Sequence, residues 1–303
     1  MHVFMTGASG WIGSAVVPHL LEAGHEVTGL ARSDASASAL ETAGVTALLG
    51  GLDDLDVLRT GAGSADAVIH LGFKHDFDHF DESGRTERAA LEAFREVLRG
   101  SGRKFLFASG LAGFPSGRPL TEHDQSSFVG PDSPRGGSER FAMDFVDDGI
   151  APVSLRFSPT VHGAGDHGFT SVLVRIARER GVAGYIGDGS TRWAAVHRLD
   201  AARMVGLALE KASGGTITHA VAEEGIPSKQ IAEAIGRGLG LPAASISPED
   251  APAHFGWLGA FFGADVHATS ALTRELLGWQ PSEIGLLQDI AENYVSGAEA
   301  PTA

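Results

Sequence analysis

The stretch TGASGWIGS, Thr6 to Ser14, sets Gly7, Gly10 and Gly13 between an apolar run, HVFMT, and a segment with helical periodicity. Glycines at this spacing permit a tight turn and the close approach of a diphosphate, whose charge meets the N-terminus of the helix that follows. Trp11 and Ile12 lie inside the same turn. About 20 residues past the glycines, where a dinucleotide-binding chain meets the adenosine ribose, VTGLARSDAS places Arg32 and Ser33 at the tip of a second strand, with Asp34 beyond it. An arginine fork suits a 2′-phosphate and gains little from a bare ribose, which favours NADP(H) over NAD(H).

Groups able to move a proton lie further along. HLGFKHDFDHF offers His75 beside Asp76; a histidine titrates near neutrality and a carboxylate can orient it, although such a polar loop is equally a solvated surface. Tyr185, in RGVAGYIGDGSTRW, has a phenol able to donate, or else packs as an aromatic with a tied hydroxyl. FLFASGLAG supplies Ser109 at the end of a strand. Strand carboxyl ends form the ligand crevice of open α/β sheets, so Ser109 either reaches a substrate oxygen or is a satisfied strand-end hydroxyl.

These residues need a frame. Apolar runs at 2–6, 25–30, 45–49, 66–71, 104–109 and 152–157 alternate with helical periodicity at about 11–23, 53–61, 83–100 and 136–148. That order predicts βαβ units and a parallel sheet covered on both faces. Beyond Phe157 the alternation weakens, and a strand at 216–222 is expected to return to the sheet. SKQIAEAIGRGLG puts Ile231, Ala234, Ile235 and Leu239 on one helical face, as core packing requires. The tail SGAEAPTA reads as an untethered terminus.

Composition narrows the function. A net charge of −15 with four lysines (Lys74, Lys104, Lys211 and Lys229) argues against a nucleic-acid partner. The absence of cysteine excludes disulfides, thiolate nucleophiles and thiolate metal sites, and fits a reducing compartment. No signal peptide and no 18-residue apolar run is visible, so a cytoplasmic protein without a membrane partner is expected.

Taken in order, TGASGWIG, DAVIHL, FLFASG, LRFSPTVHGAGD, STRWAAVHRLD and TRELLGWQP resemble the extended short-chain dehydrogenase/reductase superfamily, in its atypical NAD-dependent epimerase/dehydratase-like branch. The resemblance implies an α/β Rossmann fold, a doubly wound parallel sheet with a smaller C-terminal substrate lobe. Residues 1–158 with about 206–224 would bind the coenzyme, and 159–205 with 225–303 the substrate. Thr6, Leu52, Leu71, Gly72, Phe73, Phe157 and Pro159 join the glycine loop as coenzyme contacts. A homodimer through helices 83–100 and 136–148 is implied too.

The family's chemistry employs a serine or threonine after the fifth strand and a Tyr-x-x-x-Lys pair. Neither Tyr185 nor Tyr294 is followed by lysine at the fourth place. Matching Glu139 to the family's glutamate after the lysine puts Arg135 at the lysine position and Pro131 at the tyrosine position, while the catalytic serine falls on Gly110. Arg135 can bond ribose hydroxyls or pair with Glu139 on the helix surface. Arg192 matches the arginine that grips the diphosphate of sugar nucleotides, yet Trp193 stands where an aspartate is usual. In the family reading His162, Asp166, His167 and His197 are turn and packing residues, with no metal. Phe255, Trp257, Phe261 and Phe262 line an apolar pocket or fill a core.

The expected activity is an NADPH-dependent reductase, passing hydride to a carbonyl or activated double bond of a small, partly apolar substrate. Ser109, His75, Tyr185 or water would handle the proton. A sugar-nucleotide epimerase or dehydratase with bound NAD and a non-catalytic NADP(H) sensor are the alternatives.

Overall fold

A computed structural model describes residues 1–76, 79–114 and 117–295, and the tail SGAEAPTA lies outside them. The first half alternates β1 (His2–Thr6), α1 (Gly13–Glu22), β2 (Glu26–Ala31), α2 (Asp34–Thr42), β3 (Thr46–Leu49), α3 (Leu55–Gly63), β4 (Ala67–His70), α4 (Phe80–Leu98), β5 (Lys104–Gly110), α5 (Ser138–Met143) and β6 (Ala151–Phe157). The second half adds β7 (Thr160–His162), α6 (Phe169–Arg180), β8 (Ala183–Ile186), β9 (Arg192–His197), α7 (Arg198–Lys211), β10 (Thr216–Ala220), β11 (Glu223–Pro227), α8 (Ser228–Leu239) and β12 (Ala243–Ile246). Short helices close the chain: α9 (Ala251–Phe255), α10 (Leu258–Phe262), α11 (Ala271–Leu277) and α12 (Leu286–Asp289).

Seven strands form one sheet in the order β10-β6-β5-β4-β1-β2-β3, and every pairing is parallel. This is the Rossmann arrangement expected. Strand order reverses between β1 and β4, so their carboxyl ends open the crevice where such sheets take a ligand. Apolar side chains of α1 and α7 (Val16, Leu20, Ala201, Val205) cover one face, and those of α3 and α4 (Leu58, Leu91, Phe94) the other. The second lobe holds the three-stranded sheet β11-β9-β7, the parallel pair β12-β8 and its own core around Trp193, Phe255 and Phe262. Among the described residues no helix is long and apolar enough to cross a membrane.

Three elements differ from the sequence expectation. Helix α2 was not anticipated, because its sequence, DASASALET, buries only Leu40. Its start is fixed locally, by Ser33 and Ser36 capping each other's backbone amides. The helix expected from 136 begins at Ser138 and gives way to a 3-10 turn over Asp144–Asp148. Arg135, Gly136 and Gly137 all have positive φ (54°, 61° and 60°), which a right-handed helix cannot include. Finally, the whole of α7 packs with α1, so the return to the sheet begins at Arg198 and a boundary near 205 falls within this helix.

Glu139 does not pair with Arg135 on the surface. Its carboxylate accepts from the fully buried Arg156 of β6 (Nε–Oε1 2.7 Å, Nη2–Oε2 3.1 Å) and from the Ser154 hydroxyl at 2.6 Å. Arg156 also reaches the Asp124 carbonyl at 2.7 Å and His219 Nε2 at 3.2 Å. Burial holds the His219 pKa down to about 4, so Nε2 accepts from the guanidinium while Nδ1 donates to the Thr269 carbonyl.

Two outcomes follow from this network. Removing one partner strands a buried charge, so Glu139→Ala should lower the unfolding free energy in urea by about 3–5 kcal/mol. A histidine with a depressed folded pKa contributes stability above its unfolded value of about 6.5. Thermal stability should therefore fall as pH drops from about 6.5 toward about 4, and His219→Gln should remove that part of the acid sensitivity.

Candidate active site

The glycine loop is closed to any side chain. Gly7 has φ 70°, and a Cβ there would stand 2.7 Å from the Gly72 amide nitrogen and 2.8 Å from the Leu71 carbonyl carbon. One on Gly13 would stand 2.0 Å from the Gly7 oxygen, which also accepts the Gly10 amide at 2.9 Å. Thr6 completes the junction, because its hydroxyl oxygen accepts the Gly72 amide at 3.0 Å and lies 2.7 Å from His70 Nδ1. Leu52 packs beside Gly72. Among the described residues the Trp11 and Ile12 amides have no acceptor. Unsatisfied amides at the start of α1, in a cradle that a Cβ would fill, fit a dinucleotide diphosphate. The Trp11 indole turns away and donates to the Val161 carbonyl at 2.7 Å, joining the loop to the second lobe.

At the end of β2, Arg32 is exposed, and no hydrogen bond or ion pair holds its guanidinium among the described residues. Ser33 caps α2 immediately after it. The arginine thus precedes the start of α2, whose first turn also carries Asp34; a guanidinium there suits an anionic ester.

A second group forms beyond the ends of β4 and β5. Arg135 sits at the only positive φ of a non-glycine among the described residues, 54°. The turn can lie against α4 because Gly84 faces Gly136, where a Cβ on either would meet backbone within 3 Å. From there the guanidinium lies 4.4 Å over the Phe73 ring, 3.6 Å from the Glu87 carboxylate and 3.5 Å from the Ala108 carbonyl. These contacts are long, and Nε has no partner, so donors remain unspent. Glu87 is buried on the inner stripe of α4 and bonds His70 Nε2 at 3.2 Å. Burial works to raise its pKa, but the charges of His70 and Arg135 outweigh burial and hold it below the ordinary value.

His75 stands edge-on to Phe73, with ring centroids 5.2 Å apart. Desolvation first and the Arg135 charge second lower its pKa, so it is neutral at pH 7. Asp76 does not orient it, because that carboxylate bonds the ring and amide of His79. Ser109 is half-buried next to Ala108, and its hydroxyl makes no hydrogen bond among the described residues. A Cβ on Gly110 would meet nothing within 4 Å, so the family's serine position is open space. Phe157 pairs in register with Gly110 across β5 and β6, and Pro159 follows it.

Other sequence candidates fall elsewhere. Tyr185 lies on β8, its ring beside Gly189 and 5.8 Å from Lys229 Nζ, in the two-stranded pair of the second lobe. Arg192 is clamped by Asp265 (Nε–Oδ1 3.2 Å, Nη2–Oδ2 2.9 Å), and Trp193 is buried. His162 bonds Asp289 at 2.7 Å, the Tyr294 hydroxyl donates to Asp166 at 2.8 Å, His197 caps α7, and His167 packs on Trp11. Phe255 and Phe262 are core, whereas Trp257 and Phe261 pack around Phe169 nearer the surface. Sequence reasoning missed His70, Glu87 and Asp265. For Glu87 the signal was legible: an acid at a core position of the stripe Ser83, Gly84, Ala90, Leu91 and Phe94.

Comparison with known proteins bears on the family and the fold. An uncharacterised protein of Schizosaccharomyces pombe is 45% identical over 293 residues, covering 97% of this chain and 99% of the relative. One of Saccharomyces cerevisiae is 45% identical over 298 residues, with the same coverage. The solved structure of a DesIV double mutant, a dTDP-glucose 4,6-dehydratase from Streptomyces venezuelae with NAD bound, superimposes with a TM-score of 0.74 at 18% identity. It covers 97% of this chain and 96% of its own. Residues 3–221 match the family of NAD dependent epimerases and dehydratases, and the chain belongs to that family.

Proposed function

We propose that the protein is an NADPH-dependent reductase acting on a carbonyl or activated double bond of a small, partly apolar substrate, without the Tyr/Lys pair. The observation that carries the reading is a complete glycine cradle combined with an unpaired Arg32 at the adenosine end. Bound NADPH would supply a hydride. The chain's own part is to hold the coenzyme and stabilise the charge that develops on the substrate.

Arg135 is the group suited to that charge. It is cationic at any working pH, has donors to spare, and is braced by Phe73 and Glu87. It cannot give up a proton. Ser109 adds a hydroxyl donor at the end of β5, His75 gains a further donor once protonated, and water delivers the proton otherwise. Tyr185 would need the second lobe to carry it toward β5, so it is secondary. The alternative is a sugar-nucleotide epimerase or dehydratase with bound NAD, for which Arg192 would have to exchange Asp265 for the diphosphate.

Calorimetric titration should show NADPH bound more tightly than NADH. Arg32→Ser should weaken NADPH by about tenfold or more, the worth of lost charge-assisted bonds, and leave NADH nearly unchanged. Arg135→Met should lower kcat by about a hundredfold to a thousandfold, read as NADPH oxidation with a panel of aldehydes, ketones and enones. Tight NADPH binding with no oxidation across that panel would sink the reductase reading. Protonation makes His75 a stronger donor, so kcat/KM should rise as pH drops through its depressed pKa, below about 6.5, and His75→Gln should abolish that rise.

A further inference from the structure

We propose that Arg198, the first residue of α7, is a coenzyme ligand: its guanidinium meets the diphosphate at the glycine loop and ties that loop to the second lobe. The inference rests on the dinucleotide reading above, and nothing in the sequence pattern singled this residue out. Its Nη2 donates to the Ser14 hydroxyl at 2.7 Å, and that hydroxyl donates to the Gly10 carbonyl at 2.7 Å. One side chain thus links Arg198 to the first turn of α1. The guanidinium carbon lies 4.3 Å over the Trp11 ring, inside the loop itself.

Charge makes the placement informative. Arg156 is paired with Glu139, Arg192 with Asp265, and Arg203 with Asp200 and Glu283. Arg198 has no carboxylate partner among the described residues, and its Nε is buried without any partner. A half-buried cation without a counterion is costly, and an anion at the loop would offset that cost. The fold brings the charge there for a physical reason. Helices α1 and α7 pack side by side, and Arg198 at the start of α7 reaches Ser14 in the first turn of α1, so the two N-termini lie together. Both helix dipoles then point positive charge at one place, and Arg198 adds a full one.

The test is calorimetry on the full chain with NADPH, NADH and ADP-ribose at low and high salt. Arg198→Met keeps the aliphatic packing on Trp11, and Arg198→Gln keeps a donor for Ser14, so the pair separates lost charge from lost fold. Each should weaken all three ligands by about tenfold to a hundredfold and flatten the salt dependence. Arg32→Ser should affect NADPH alone. Wild-type affinities and salt slopes in either Arg198 variant, whatever the melting temperature does, would overturn the proposal and leave a structural strap. Failure of the unaltered chain to bind any of the three would instead overturn the dinucleotide reading itself.

Discussion

The glycine loop works because two backbone segments touch where side chains would otherwise stand. Gly7 lies against the Leu71–Gly72 peptide at the end of β4, and Gly13 lies against the Gly7 carbonyl. That double contact draws the start of α1 across the point where strand order reverses and leaves the Trp11 and Ile12 amides unspent. Thr6 fixes the same junction from beneath, through Gly72 and His70. The rest of the site is arranged around this corner.

Arg135 is positioned by an unusual piece of backbone. Three successive residues with positive φ, Arg135 to Gly137, turn the chain so that the arginine side chain enters between α4 and β5. Glycine contact between Gly84 and Gly136 allows the approach, and Glu87 supplies a buried negative charge to receive it. A guanidinium held this way is a fixed electrostatic donor. In the proposed reductase a tyrosine's proton relay would be replaced by charge stabilisation from Arg135, with the proton left to a side chain or water.

The second lobe shows how charge pairing edits a resemblance. Arg192 keeps the family's position, but Asp265 neutralises it with two hydrogen bonds. Trp193 is packed into the core with Phe262. Arg198, at the start of the next helix, has no carboxylate partner among the described residues and lies beside the glycine loop.

What the sequence alone determined is what local chemistry controls: the βαβ order, the glycine spacing that only a tight turn can use, and Arg32 at the tip of β2. The missing Tyr-x-x-x-Lys pair was equally plain, because it is a matter of residue types at fixed offsets. Helix α2 escaped because its apolar periodicity is weak, although Ser33 and Ser36 carried its start signal. Pairings between distant segments were decided by the tertiary structure. Glu139 lies four residues from Arg135, yet it is claimed by Arg156 from β6, because the positive φ values swing Arg135 inward toward Glu87. Asp265 on Arg192 and Arg198 on Ser14 are likewise contacts across 73 and 184 residues, which only the packed sheet and its flanking helices bring within reach.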